Sequence, residues 1–397
     1  MENLSRRISE LHESATIKMA QLARELKTQG KDIISLSLGE PDFDTPQHIK
    51  DAAKKAIDDG YTSYPPVPGY TELRQAISEK FKRENKLDYA AEQIVVSTGA
   101  KQSLINVVLC LANPGDEIII PEPYWVSYAA MAQLAEAKMV NISTNIDADF
   151  KITAEQLENA ITDKSKLFMF SSPCNPTGSV YSRNELAALV EVFKKYPQLY
   201  IISDEIYEYI NFEAGHESIG TFPEIADRVI TVNGFSKGFA MTGWRVGYIG
   251  APLWIAKACT KMQGQYTSGA CSIAQKAAEA AIKSGADASK EMKAAFQRRR
   301  DMLIELLEAM PGLKVNRPKG AFYIFPDVSA FFGKSYDGEK IKDADDLCMY
   351  LLKEANVSLV TGSAFGAPNC LRISYAASEQ DLRKAMSLIK DALGKLA

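Results

Sequence analysis

The sequence of 397 residues is short of several things, and each shortage removes a class of function. Its six cysteines (Cys110, Cys174, Cys259, Cys271, Cys348 and Cys370) are scattered and include no C-x-x-C pair. That spacing argues against a zinc site or a disulfide framework, and for reduced, mostly buried thiols in a cytosol. There is no basic excess. The formal net charge of −4 offers no global attraction to nucleic acid or to an anionic membrane surface. No apolar run approaches bilayer-spanning length, and Met1-Glu2-Asn3-Leu4-Ser5-Arg6-Arg7 lacks the apolar stretch of a secretory signal. A cytoplasmic location with no membrane partner is the expectation. G-x-G occurs nowhere, and Gly333-Lys334-Ser335 lacks the upstream glycine of a P-loop, so a nucleotide-binding reading fails. No repeat or low-complexity stretch stands out.

What is present is an ordinary globular composition, 46% apolar and 24% charged, in a chain long enough for two domains. Residues from Ala15 to about Gly30 have a helical apolar period, with Gly30 placed to end the helix. From about Tyr61 to Met310, short apolar runs alternate with longer amphipathic segments. The runs begin at Ile94, Glu117, Leu167, Leu199, Val229 and Val246. Continuous runs rich in β-branched and aromatic residues predict strands buried on both faces, hence an α/β fold with a mainly parallel sheet. Ala270 to Met310 predicts one or two long helices. Beyond Gly312, Ala321–Phe325 and Leu371–Ser374 predict strands of a smaller α+β unit. A closing helix follows from Ser378, an N-cap with Asp381 three residues on.

In such sheets ligands bind beyond the carboxyl ends of the strands. Ser236-Lys237, just past Val229–Val232, puts an amine where burial lowers its pKa and makes it a nucleophile toward an aldehyde. Ser236 and Arg245 are phosphate donors. After Ile94–Ser97, Thr98-Gly99-Ala100-Lys101 offers a helix N-terminus to a phosphate, and also reads as a tight strand-to-helix turn. After Leu167–Ser171, Asn175 stands between Pro173 and Pro176, which aim its amide into the crevice or simply rigidify a turn. After Leu199–Ile202, Asp204 is placed to pair with a protonated pyridine nitrogen and Tyr207 to reach a phenolic oxygen; acids opening a helix are the plain alternative. The conjunction, in chain order and each after a predicted strand, points to a pyridoxal 5′-phosphate site.

At this point the chain resembles the class I aminotransferases of fold-type I, the pyridoxal phosphate-dependent transferases with a large domain around a mainly parallel sheet and a smaller α+β domain. The likeness rests on Gly39-Glu40-Pro41-Asp42-Phe43, Tyr64…Gly69-Tyr70, Asn175-Pro176-Thr177-Gly178, Ser203-Asp204-Glu205-Ile206-Tyr207, Ser236-Lys237 and Gly243-Trp244-Arg245. Ser14-Ala15-Thr16, Thr98–Gln102 and Pro123–Tyr128 resemble the bacterial-type aspartate aminotransferase branch. The resemblance implies that Lys237 is the catalytic lysine that carries the cofactor, with Asp204 on the ring nitrogen. Asn175 and Tyr207 would meet the ring oxygen, and Trp125 would stack on the ring. Ser236, Arg245 and the backbone of Gly99, Ala100 and Lys101 would hold the phosphate. It further implies that Arg372 clamps the substrate α-carboxylate with Asn175 and the Gly39 backbone, and that Tyr64 reaches the other subunit's phosphate in a homodimer with shared sites. Taken alone, Trp125 reads as core and Tyr64 as loop, and the alternating strand that carries Arg372 also allows a surface charge. Residues 1–45 would form an N-terminal arm and helix belonging to the small domain, 46–310 the large cofactor-binding domain, and 311–397 the rest of the small domain.

In that branch a lysine at the place of Lys101, with hydroxyls at Ser14 and Thr16, binds a distal carboxylate, which implies aspartate, glutamate and their oxo acids as substrates. Branch members with the same residues also transaminate prephenate. This chain has His12 where several of those have lysine, which leaves the second activity open. An aromatic, kynurenine or methionine aminotransferase, or a lyase of the same fold, is the alternative, against which Lys101 argues. A sensor domain of a transcription regulator would need a DNA-binding unit ahead of Gly39 and a basic chain. No metal ligand set is expected.

Overall fold

The computed structural model describes residues 4–11, 13–213 and 215–397. Seven strands form its central sheet: β1 (Ile94–Ser97), β2 (Glu117–Pro121), β3 (Lys138–Ile142), β4 (Ser165–Ser171), β5 (Tyr200–Asp204), β6 (Val229–Gly234) and β7 (Gly247–Gly250). Their order is β1-β7-β6-β5-β4-β2-β3. All neighbours are parallel except β7, which runs antiparallel to both β1 and β6. Each of the six predicted runs is a strand. β3 was not foreseen: Lys-Met-Val-Asn-Ile lies at the sheet edge, is partly exposed, and so mixes polar and apolar residues.

Both faces of the sheet are covered, which is why the inner strands are apolar throughout. On one face Ile118, Ile120, Met169, Ile202 and Ile230 pack with Leu104, Val107 and Val108 of helix Ala100–Leu111 and with Ile255 and Cys259 of helix Leu253–Tyr266. On the other, Ile119, Phe168, Phe170 and Ile201 meet Leu186, Leu189, Val190 and Phe193 of helix Arg183–Phe193. Each such side chain contributes about 1.5–3 kcal/mol of burial. The predicted long helical stretch is two helices, Ser272–Ser284 and Lys290–Glu308, separated by a 3-10 turn.

The C-terminal part holds a three-stranded antiparallel sheet of Val360–Thr361, Leu371–Ser374 and Tyr323–Ile324. It shares a core with helices Lys290–Glu308, Ala344–Glu354 and Glu379–Gly394. The last of these is capped as expected, Ser378 Oγ accepting from the Asp381 amide. The early strand Ile34–Ser35 pairs in parallel with Val357–Ser358, so residues just after helix Ala15–Thr28 join the C-terminal part. All six thiols are free; Cys259, Cys348 and Cys370 are buried, Cys110 and Cys174 half-buried, and Cys271 exposed, so burial is less general than the sequence reading held.

Candidate active site

Because β1, β2, β4, β5 and β6 point the same way, the segments leaving their carboxyl ends meet at one edge of the sheet. There they line a cavity of about 340 Å³. Asp204 ends β5, and Ser236 and Lys237 follow β6. Asn175 follows β4, Trp125 follows β2, and Ala100 and Lys101 follow β1. Arg245, Gly39, Arg372, Ser14 and Thr16 complete the lining. The chain leaving Asp204 makes turns and not a helix, which removes the helix-opening alternative for that acid.

Among the described residues, Lys237 and Lys101 are the two lysines on the cavity wall. The Lys237 Nζ donates to the Gly39 carbonyl. Burial lowers its pKa to about 8; Arg372 and Arg245 push the same way, while Glu40 and Asp204 oppose them. An appreciable share of neutral amine is therefore present near neutral pH, the form that adds to a carbonyl. Asp204 moves in the other direction, to about 6, because burial disfavours its charge and Glu205 adds repulsion. The Tyr128 hydroxyl, 2.8 Å from Oδ2, and the Ile206 amide, 3.3 Å from Oδ1, hold the carboxylate form. At pH 7 Asp204 is mostly ionised and stands ready to accept from a cationic N–H.

Arg372 is 2% exposed, on the central strand of the C-terminal sheet. Its Nη1 donates to Asn175 Oδ1 at 2.9 Å and its Nη2 to the Ser37 carbonyl at 2.6 Å. The rings of Tyr323 and Phe365 pack on the guanidinium at 4.6 and 5.0 Å. Its Nε is buried with no partner. A buried cation with unspent donors and no carboxylate beside it is made for an arriving carboxylate; a surface charge it is not. Tyr207 shares a 2.7 Å hydrogen bond with Tyr323, and burial raises the pKa of both phenols.

At the far side Gly99, with φ +84°, opens helix Ala100–Leu111. A Cβ there would lie 2.4 Å from Arg245 Nη2, so only glycine lets the guanidinium lie against the helix N-terminus. Gly247 of β7 is equally forced, since a Cβ would stand 2.1 Å from the Ala100 amide nitrogen. Guanidinium, Ser236 and free helix amides form an anion cradle. Lys101 turns from the same helix over the Trp125 ring, 4.9 Å from its centroid. Burial and Arg245 lower its pKa. Ser14 and Thr16, whose hydroxyls are 2.8 Å apart, line the same cavity.

An aldehyde-bearing, phosphate-bearing cofactor fits these groups: an amine of lowered pKa, an acid for a ring nitrogen, an indole wall, and a cradle that a glycine keeps open. Tyr64 is not among the cavity residues; it is 95% exposed in the single chain. His12 lies outside the described residues. Sequence reasoning missed Tyr128, Tyr323 and Arg24, which also line the cavity. It also missed a buried network behind Asp204. There Lys80 donates to Asn85 and Glu208, and Glu205 takes hydrogen bonds from Ser203 and Ser218 and pairs with His216. No local pattern links groups so far apart in sequence.

Residues 31–389 match the family described as aminotransferase class I and II. The bifunctional aspartate aminotransferase and glutamate/aspartate-prephenate aminotransferase of Petunia hybrida is 48% identical over 396 residues, 98% of this chain and 83% of that one. The aspartate/prephenate aminotransferase of Cereibacter sphaeroides is 46% identical, with 98% of each chain covered. The crystal structure of the aspartate aminotransferase of Rhizobium meliloti superposes with a TM-score of 0.96 at 42% identity, covering 100% of both chains.

Proposed function

This chain belongs to the class I and II aminotransferases, and from that premise we propose that it moves the amino group of L-aspartate to 2-oxoglutarate, giving oxaloacetate and L-glutamate. Pyridoxal 5′-phosphate is the cofactor. When bound, it supplies the electron sink that lets a Cα–H bond ionise.

Arg372 and Asn175 orient the substrate α-carboxylate, which turns Cα toward Lys237. Lys237 Nζ removes the proton from Cα. Asp204, held ionised by the Tyr128 hydroxyl, would hold a proton on the ring nitrogen. Tyr207 would donate toward the ring oxygen, Trp125 would pack against the ring, and Ser236, Arg245 and the Gly99–Lys101 backbone would hold the phosphate. The observation that carries the choice of substrate is Lys101, an ammonium on the cavity wall that no described carboxylate pairs with, in the same cavity as the hydroxyls of Ser14 and Thr16. An apolar side chain would leave that cation unanswered, whereas a distal carboxylate answers it. The prephenate activity printed in the names of two relatives is proposed as an extension of the same site.

The same reading makes the protein a cytoplasmic homodimer whose Tyr64 completes the partner's site, with a small domain from 1–45 and 311–397 and a large one from 46–310. Among the described residues no helix is long and apolar enough to cross a membrane. The test is a half-reaction scan: the cofactor-loaded protein is mixed with single amino acids and the cofactor's absorbance followed. Rapid change with aspartate and glutamate, and little with phenylalanine or methionine, is expected. Preference for aromatic or thioether amino acids would overturn the assignment.

A further inference from the structure

Assigning one cation of the cavity to each group it would meet leaves Arg24 without a role. Among the described residues the lining carries Arg24, Lys101, Lys237, Arg245 and Arg372, and one carboxylate, that of Asp204. In the reading above, Arg245 answers the phosphate, Arg372 the α-carboxylate and Lys101 the distal carboxylate, and Lys237 does the chemistry. Arg24 has no such job. Its only hydrogen bond among the described residues runs from Nε to the Ala20 carbonyl at 3.3 Å, and no carboxylate pairs with it.

Its place is set by helix geometry. Thr16, Ile17, Ala20 and Arg24 all line the cavity from helix Ala15–Thr28. They follow the spacing of one helix face. Thr16 and Arg24 are about 12 Å apart along the axis at ~1.5 Å per residue. The bond to Ala20 folds the Arg24 side chain back by one turn toward the helix N-terminus, on the helix face that also carries Thr16. Ile17 lies between Thr16 and Arg24 on the same helix and Leu38 lines the same cavity; in the single chain they are 59% and 47% exposed.

We propose that Arg24, Ile17 and Leu38 form an outer subsite for dicarboxylic oxo acids longer than 2-oxoglutarate, with Arg24 taking the far carboxylate and the two aliphatic side chains the apolar body between the acid groups. This rests on the aminotransferase reading above and deepens it. Lys101 serves the four- and five-carbon acids; Arg24 extends the anion path outward, and an arginine fork suits a carboxylate that arrives at variable depth.

The experiment is a length ruler on the cofactor-loaded enzyme. Succinate, glutarate, adipate and pimelate are titrated into wild type, Arg24→Gln and Arg24→Lys, with binding read from the cofactor's absorbance; KM for prephenate is measured alongside. Arg24→Gln is expected to weaken adipate and pimelate and raise the prephenate KM by about tenfold, the loss of one charge-assisted contact. Succinate should change far less, and Arg24→Lys should restore much of the loss. Equal effects at every length, no effect at any, or a wild type that uses aspartate yet accepts neither the longer diacids nor prephenate would each overturn the subsite. A wild type that binds no dicarboxylate at all and ignores aspartate would instead sink the substrate assignment on which it stands.

Discussion

Tyr128→Phe isolates one hydrogen bond at the electronic centre of the site. The residue is 1% exposed and its ring sits edge-on to Trp125, a packing that phenylalanine keeps. What is lost is the 2.8 Å bond from its hydroxyl to Asp204 Oδ2. A hydrogen bond to a charged group contributes about 1.5–3 kcal/mol, and one pKa unit corresponds to about 1.36 kcal/mol. Since the bond favours the ionised acid, its removal raises the Asp204 pKa by about 1–2 units. Asp204 already stands at about 6. Without cofactor the acid of the variant would titrate between about 7 and 8; a cationic ring nitrogen beside it lowers wild type and variant alike. The acid limb of the kcat profile with aspartate and 2-oxoglutarate should therefore lie about 1–2 units above the wild-type limb, with the loss of kcat on the acid side and recovery at higher pH. The reasoning is refuted if the acid limb stays in place while the variant folds and binds cofactor normally, because Asp204 would then owe its ionisation to something other than this bond.

Three further outcomes are expected. Lys237→Ala should lower kcat by about four orders of magnitude or more while substrate binding persists, since Nζ is the proton-transfer group; single-turnover kinetics check this, and near-normal turnover would remove it from that role. Lys101→Met should raise KM for aspartate and glutamate by about ten- to a hundredfold and leave phenylalanine unchanged or improved, measured as the ratio of kcat/KM values; an unchanged ratio refutes the assignment. Gly99→Ala, at φ +84° and with its Cβ 2.4 Å from Arg245 Nη2, should cost about 1–3 kcal/mol in strain and weaken cofactor retention on dialysis, whereas Gly115→Ala, open on all sides, should leave retention alone.

The strands were legible because a parallel sheet covered on both faces demands uninterrupted apolar runs, and the loops after them were legible because such a sheet collects its ligands at one edge. Lys237, Asp204 and Asn175 could be found from that logic alone. β3 escaped it: an edge strand keeps one side wet, and Lys138 to Ile142 has no continuous apolar signal. Tyr128 escaped because it sits in helix Ser127–Leu134, where an aromatic reads as core. Its bond spans 76 residues of sequence. Tyr323 was read only as a strand residue, although its hydroxyl meets Tyr207. Arg24 had the look of a solvated helix charge. Each of these depends on which segments meet, information that local pattern does not carry.

The bond from Arg372 to the Ser37 carbonyl joins positions 335 residues apart. Ribosomes deliver Ser37 early and Arg372 almost last, at about 5–20 residues per second. From Gly250 onward the chain has every strand of the central sheet, but until Arg372 is made the pocket has no α-carboxylate arginine. The strand Ile34–Ser35 waits equally long for Val357–Ser358. Nascent chains interrupted between about residues 250 and 370 therefore contain the whole large sheet but not the guanidinium that grips the α-carboxylate. Contacts closed across so much chain also form slowly. A cell making this protein carries, for roughly a third of each round of translation, a molecule that has the residues to hold a reactive cofactor but lacks the arginine that clamps what reaches it.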